Sequence, residues 1–392
     1  MKILQCVGGD IDPAMGGHVE AARQLAHGLN RAGHCSDLLT LKQPTRSWND
    51  EWPGSIISMG ATRSTYLYTP RLTPWLQHHA QEYDAVIVHG LWRYISVGVW
   101  RVLQKSTTPY YVFAHGMLDP YYKLYRWKHV QKAICWALAE HRTVRDAAAV
   151  FFTSEEEMLR ARNSFRPYSC KEAVVGLGIV TAPGDAAWDI EEFFTSFPDL
   201  RAKRLLLHLG RLHPKKGCDL LVRAFAEIAR DNEDLHLVLA GPDECGMGSA
   251  LKQLVRNLCP PASVTFTGPL SGSLKWGAFR AAEALVLPSH NENYGIVVVE
   301  ALACGTPALI SDQVAIWREV TEDSAGMADS DTLEGTIRLL RRWLALSLYE
   351  RRVMQRAART SFEKRYELST SIRKLLAKLN EPSRSPQLLN TR

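Results

Sequence analysis

Short apolar runs closed by turn residues alternate along the chain with longer stretches whose apolar positions recur every three or four residues. KILQCVGG leads into a helical pattern from about His18 to Ala32, and AVIVHG, YYVFAHG, AVFFTS and EAVVGLG (172–178) follow as further strand-like runs. Strands alternating with helices predict a parallel sheet covered on both faces. The rhythm breaks over 180–200, where Pro, Gly and acidic residues mix without sustained periodicity, and a linker over 181–203 is expected there. It restarts with RLLLHLG (204–210), a helix near 217–230, LHLVLAG, SVTFTG, EALVLPS, a helix from about Gly295, and PALIS. The expected fold class is therefore α/β, with two doubly wound, Rossmann-like domains facing across a cleft: 1–180, the linker, and 204–365. Residues 366–392 are read as a helix crossing back to the first domain and a tail. Such sheets bind ligands outside the carboxyl ends of their strands, so the motifs of interest are those that follow strands.

A length of 392 residues with 46% hydrophobic composition excludes disorder as the main state and suits two cores. The net charge of +6 is small. Residues 101–150 account for most of it, with Arg101, Lys105, Lys123, Arg126, Lys128, Lys132, Arg142 and Arg145 against Asp119, Glu140 and Asp146. Cysteines at 6, 35, 135, 170, 218, 245, 259 and 304 form no CxxC pair and no Cys/His zinc spacing, so reduced, mostly buried thiols and a cytoplasmic chain are expected. The N-terminus lacks a signal-peptide pattern, and no run of about 18 uncharged apolar residues, the length that spans a bilayer, occurs in the sequence.

After the first strand, Gly16-Gly17 lead directly into the first helix. Such a pair lets a backbone approach a phosphate at a helix N-terminus, although it more often serves as a plain turn. The spacing is not GxGxxG, and no GxxxxGK[ST] occurs, so hydride transfer and P-loop hydrolysis lose their main support. In the second half, Gly210-Arg211 and Lys216 follow the first strand, and LPSHNENYGIVVVEALACGTP follows a later one. Arg211 and Lys216, five residues apart, suit a diphosphate. Glu292 lies in a loop and Glu300 in the helix that Gly295 opens, where carboxylates accept hydrogen bonds from hydroxyls. The NENYG segment presents consecutive backbone N–H groups.

Taken in order, GRLHPKKG, LVLAGP, VTFTGPL and PSHNENYGIVVVEALACGTP closely resemble the donor domain of family-four retaining glycosyltransferases of the GT-B fold. FAHGMLDPYYK (113–123) resembles a segment of bacterial cell-surface polysaccharide members. One departure is VGLGIV (175–180), which stands where many relatives have Pro-Asn-Gly. The resemblance implies that Arg211 and Lys216 grip the diphosphate of a GDP- or UDP-sugar. It also implies that Glu300 binds the ribose diol and that Glu292, with the N–H groups of Asn293, Tyr294 and Gly295, holds the transferred sugar and distal phosphate. Gly16, Gly17, Gly210 and Ile296 complete the expected donor contacts, and His115 is expected beside the sugar. Since Arg and Lys supply the charge, neither metal nor cofactor is expected. The reaction implied is retaining hexosyl transfer, mannosyl first, to a lipid-linked or saccharide acceptor in surface polysaccharide synthesis. The alternatives are a soluble enzyme of the same fold, such as a nucleotide-sugar epimerase or a transferase to a free sugar, and a silent binding protein.

Residues 121–145 interleave Lys123, Arg126, Lys128 and Lys132 with Trp127, Trp136 and tyrosines. They read either as an acceptor-side surface attracted to anionic lipid at the inner face of the cytoplasmic membrane, or as a solvated face over a buried aromatic stripe. No nucleic-acid module is present.

Overall fold

The computed structural model describes residues 1–9, 17–42, 52–60, 64–121, 126–180 and 184–381. Gly16, Lys123 and most of the tail lie outside the described residues. The chain divides into two compact units, Met1–Gly178 with Leu368–Arg392, and Ile179–Glu367.

The first unit is built on seven strands: β1 (Lys2–Val7), β2 (Cys35–Thr40), β3 (Ile56–Ser58), β4 (Ala85–His89), β5 (Tyr110–Phe113), β6 (Ala149–Phe152) and β7 (Glu172–Val174). They lie in the order β3-β2-β1-β4-β5-β6-β7, and every neighbouring pair is parallel. The order reverses between β1 and β4, the switch point at which open sheets bind ligands. All five residues of β4, AVIVH, are buried, as helices on both faces require. The helix Leu368–Leu379 packs on the helix Gly17–Arg31 of this unit. A side chain at Gly28 would meet Ile372 Cγ1 at 2.6 Å, so the expected crossover helix docks through a glycine.

The second unit holds six strands: β8 (Arg204–Leu209), β9 (Leu235–Ala240), β10 (Val264–Gly268), β11 (Ala282–Leu287), β12 (Ala308–Ser311) and β13 (Gly326–Asp329). Their order is β10-β9-β8-β11-β12-β13, again all parallel, with the reversal between β8 and β11. Leu221 and Phe225 of the helix Cys218–Ala229 are fully buried with Leu340 and Trp343 of the helix Leu333–Ala345.

Two expectations are corrected. Within the stretch read as a linker, residues 186–196 form a helix whose N-cap, Asp185, accepts from Ala187 N and Trp188 N at 2.7 and 3.2 Å. This helix packs closely on the helix Gly272–Ala281, because a Cβ at Gly277 would lie 2.1 Å from Asp189 O. Backbone-to-backbone contact through one distant glycine leaves little periodic signal in the segment itself. Second, all eight cysteines are free, but only Cys6 and Cys218 are buried, and Cys35, Cys135 and Cys245 are exposed.

Candidate functional site

In the second unit the predicted donor residues gather at the carboxyl ends of β8 and β11. After β8 the chain turns through Pro214–Lys216, a turn capped by His213, whose Nδ1 accepts from Lys215 N at 3.0 Å. Gly217 closes the turn with φ of 65°, and a Cβ there would lie 2.2 Å from Pro288 O. Only glycine allows that approach, which is held by His290 N donating to Lys215 O at 2.9 Å. The loop after β11 is fixed from its other side, where Glu292 N donates to Gln313 O at 3.1 Å and Ala315 N to Glu292 O at 3.0 Å. Both loops are thus anchored by backbone, and Lys216 Nζ meets Glu292 Oε2 in a direct ion pair.

Gly295, with φ of 79°, caps the helix Ile296–Ala303. The N–H groups of Asn293 and Gly295 have no acceptor among the described residues and lie at the start of this helix, the positive end of its dipole. Tyr294 is buried, with its ring centroid 6.3 Å from that of Tyr366. Ile296 is the first residue of the helix. Glu300, one turn on, accepts from Lys275 Nζ at 2.8 Å, and Lys275 in turn lies 4.4 Å from the Trp276 ring centroid. Arg211 is exposed and donates from Nη1 to Glu244 Oε2 at 3.0 Å. Gly210 precedes it, with its carbonyl 1.8 Å from where a Cβ on Gly241 would sit, so glycine at 241 is what admits the loop after β9. Lys275 and Glu244 were not foreseen. Each lies on a different loop or helix from its partner, and only the fold pairs them.

In the first unit His115 follows β5 with φ of 47°, and Gly116 with φ of 71°. A non-glycine residue in that region is strained and marks a site worth attention. The turn is clamped by the buried carboxylate of Glu157, which accepts from Gly116 N, Thr153 N and Thr153 Oγ1. His115 itself is the end of a chain of hydrogen bonds. Gln5 Nε2 donates to Ser36 Oγ at 2.8 Å, and Gln5 Oε1 accepts from His89 Nε2 at 2.8 Å. His89 Nδ1 is therefore the acceptor for His115 Nε2–H at 2.9 Å. This assignment leaves a lone pair on His115 Nδ1. The Phe113 ring stacks on His115 at 4.4 Å, and the His18 ring lies 6.3 Å away. Burial, and then the neighbouring His18, holds His89 down at about 3. Burial, and then His89 and His18, holds His115 well below the ordinary histidine value. Both rings are neutral at pH 7. Gly17 opens the helix that carries His18.

The aromatic and basic stretch forms the helix Arg126–Cys135, a π turn Trp136–Glu140 and the helix His141–Arg145. The side chains of Arg126 and Lys128 lie outside the described residues. This segment has a buried aromatic side and an exposed apolar side. Trp136 is buried and donates from Nε1 to Pro167 O at 2.9 Å, whereas Trp127, Val130, Ile134 and Leu138 are 79%, 47%, 54% and 69% exposed. Their spacing puts one apolar stripe on the outer face. Lys132 Nζ sits 5.1 Å from the Trp92 ring centroid.

The π turn also aims Glu140 inward, where Oε1 accepts from Trp92 N at 2.8 Å and Ser96 Oγ at 2.9 Å while Oε2 has no partner. Burial raises this carboxyl to about 7. Between pH 4.5 and 7 the folded chain therefore binds more protons here than the unfolded one, so this contribution to stability is present at low pH and is lost as pH rises through 7. Glu140→Gln cannot titrate and keeps the Oε1 acceptor. Relative to the parent it should gain on the order of 3 kcal/mol between pH 5 and pH 8, as read from urea midpoints. A stability difference independent of pH would show that the buried carboxyl is not the cause.

Two family models match the chain: "Glycosyl transferase 4-like domain" over residues 16–178 and "Glycosyl transferases group 1" over residues 189–360. Among curated relatives, the D-inositol 3-phosphate glycosyltransferase of Kineococcus radiotolerans is 37% identical over 34% of this chain and 31% of its own length. That of Actinosynnema mirum is 28% identical over 59% and 57%, respectively. The chain thus spans between about a third and just over half of the length of these two relatives. Among solved structures, Anabaena HepE in complex with UDP superposes with a TM-score of 0.79 at 16% identity, covering 97% of this chain and 99% of HepE. That likeness shows the fold.

Proposed function

We propose that this chain, which belongs to the family-four glycosyltransferases of the GT-B fold, transfers a hexosyl group from a nucleoside-diphosphate sugar with retention of configuration. The observation that carries this reading is the Lys216–Glu292 pair, anchored by backbone on both sides and set beside the unpartnered N–H groups that precede the helix Ile296–Ala303. Breaking the bond between the sugar and the diphosphate leaves the electron pair on the phosphate oxygen. A lysine ammonium with three N–H donors can serve Glu292 and that oxygen together, and Arg211 adds a second cation from the same loop. With those charges supplied by the protein, the reading assigns no metal. Glu292 and the N–H groups of Asn293 and Gly295 take sugar hydroxyls and the distal phosphate. Glu300, oriented by Lys275, takes the ribose diol. In the first unit, read as the acceptor side, His115 offers its Nδ1 lone pair to a sugar hydroxyl.

Incubating the chain with a panel of UDP- and GDP-hexoses tests the reading. Slow release of nucleoside diphosphate without an epimerised sugar is the expected outcome, with the preferred nucleobase identifying the donor. Epimerised sugar would assign a different reaction, and release from none of them would overturn the proposal.

The acceptor is proposed to be a lipid-linked or saccharide precursor of surface polysaccharide, met at a membrane surface by the stripe of Trp127, Val130, Ile134 and Leu138 with its flanking cations. No helix among the described residues is long and apolar enough to cross a membrane. Buried apolar area and attraction to anionic lipid add in such a surface. At low salt, phosphatidylglycerol vesicles should therefore sediment the chain, and Trp127→Ser with Leu138→Ser should lower the bound fraction several-fold. Retention of the unmodified chain in the supernatant would rule this contact out.

A further inference from the structure

The second unit carries a concentration of arginine that the donor reading does not use. A cavity of about 570 Å³ opens where β11 and β12 begin, between the turn Cys304–Thr306 and the helix Leu348–Ser361. It therefore lies at the amino ends of the strands, whereas Lys216 and Glu292 follow their carboxyl ends. Arg352, Gln355, Arg356 and Arg359 share one face of that helix, and Arg280 joins them from the end of the helix Gly272–Ala281.

No carboxylate lines the cavity. Two of the guanidinium groups are held in place from behind. Arg280 pairs with the buried Asp189, and Arg359 donates from Nη1 to Ala303 O at 2.6 Å and from Nε to Glu363 Oε1 at 2.7 Å. The other two, Arg352 and Arg356, have no acceptor among the described residues. Gly305, with φ of 74°, brings its turn against the helix, a Cβ there lying 3.5 Å from Gln355 O. Asp189 and Glu363 match Arg280 and Arg359 one for one, which leaves two positive charges at the mouth. Like charges one helical turn apart repel, and the arrangement falls in energy when an anion bridges them. Paired, planar N–H donors fit phosphate oxygens bidentately.

We propose that this cavity is a second anion site, separate from the donor site, that takes a phosphate monoester or diphosphate group. Tyr349 and Val353, 73% and 43% exposed, stand on the same helix, so the group can belong to a lipid headgroup as well as to a free phosphorylated compound.

The test uses the full chain carrying Arg211→Ala and Lys216→Ala, which removes the donor-site cations. In that background, calorimetric titration with inorganic pyrophosphate and sedimentation with phosphatidylglycerol vesicles are compared before and after adding Arg352→Gln with Arg356→Gln. Both positions are exposed and glutamine keeps helix propensity, so circular dichroism should be unchanged. Pyrophosphate binding weakened at least tenfold by the two added changes supports a free phosphate ligand. Vesicle binding reduced at least threefold, with no pyrophosphate binding, supports a headgroup. If the two changes alter neither, or if neither probe binds the parent, the site is overturned. None of these outcomes depends on turnover, so failure here is distinct from failure of the transferase reading.

Discussion

Lys216→Ala should reduce kcat for donor turnover by a factor of roughly 10²–10³, the scale typical of removing one preorganised group that stabilises developing charge. The cation is not a freely moving surface lysine. Its backbone is held through Lys215 O, which accepts from His290 N at 2.9 Å, and through the glycine contact at Pro288 O, while Glu292 holds the ammonium. Removal therefore has two consequences: charge is lost beside the leaving phosphate, and Glu292 loses its counter-ion. Glu292→Ala should also be severely impaired, because the lysine then loses its orienting partner and the sugar loses its acceptor. Measured with a saturating nucleotide-sugar, Lys216→Ala should act mainly on kcat, since the charge matters most as the bond breaks. A rise in KM alone would assign Lys216 to ground-state binding and remove it from the chemistry. Thermal melting should fall as well, because Glu292, only 20% exposed, is left without its counter-ion.

His115→Ala should lower transfer by about two orders of magnitude, within the range set by loss of a positioned acid–base or hydrogen-bonding group. The reason lies behind the residue. Ser36, Gln5 and His89 form a directed chain that settles the tautomer of His115 and leaves Nδ1 as an acceptor. His89→Leu breaks the chain without touching the residue proposed to meet substrate. It should lose less activity than His115→Ala and should shift the acid limb of the pH–rate profile, since His115, held neutral first by burial and then by His89 and His18, loses one of those neighbours. An unchanged profile in His89→Leu would show that the relay does no more than fill space. Turnover at the parent rate by both His115→Ala and Glu292→Ala would sink the assignment of the site.

Much of this site was legible because its residues lie in contiguous motifs after strands. Lys216, Glu292, Gly295 and Glu300 occur in two short segments, and the strand-helix alternation that placed those segments is a local pattern set by side-chain periodicity. The partners were not legible in the same way. His89 sits 84 residues from Gln5, and they meet because β1 and β4 are neighbours at the reversal of strand order. One signal was present: His89-Gly90 closes β4 as His115-Gly116 follows β5. Glu157, which holds the His115 turn, and Lys275, which holds Glu300, carried no signal of their own.

Charge shows the same division. Residue counts placed the excess in 101–150 and made the second half nearly neutral, yet the second unit gathers Arg280, Arg352, Arg356 and Arg359 around one cavity without a lining carboxylate. Sequence determined what depends on neighbours along the chain: the two parallel sheets, the donor motifs and the apolar periodicity of the helices. Tertiary structure decided what depends on separation in space: which carboxylate meets which cation, which tautomer a histidine holds, and where like charges collect. A charge or hydrogen bond acts over a few ångströms, whatever number of residues intervenes.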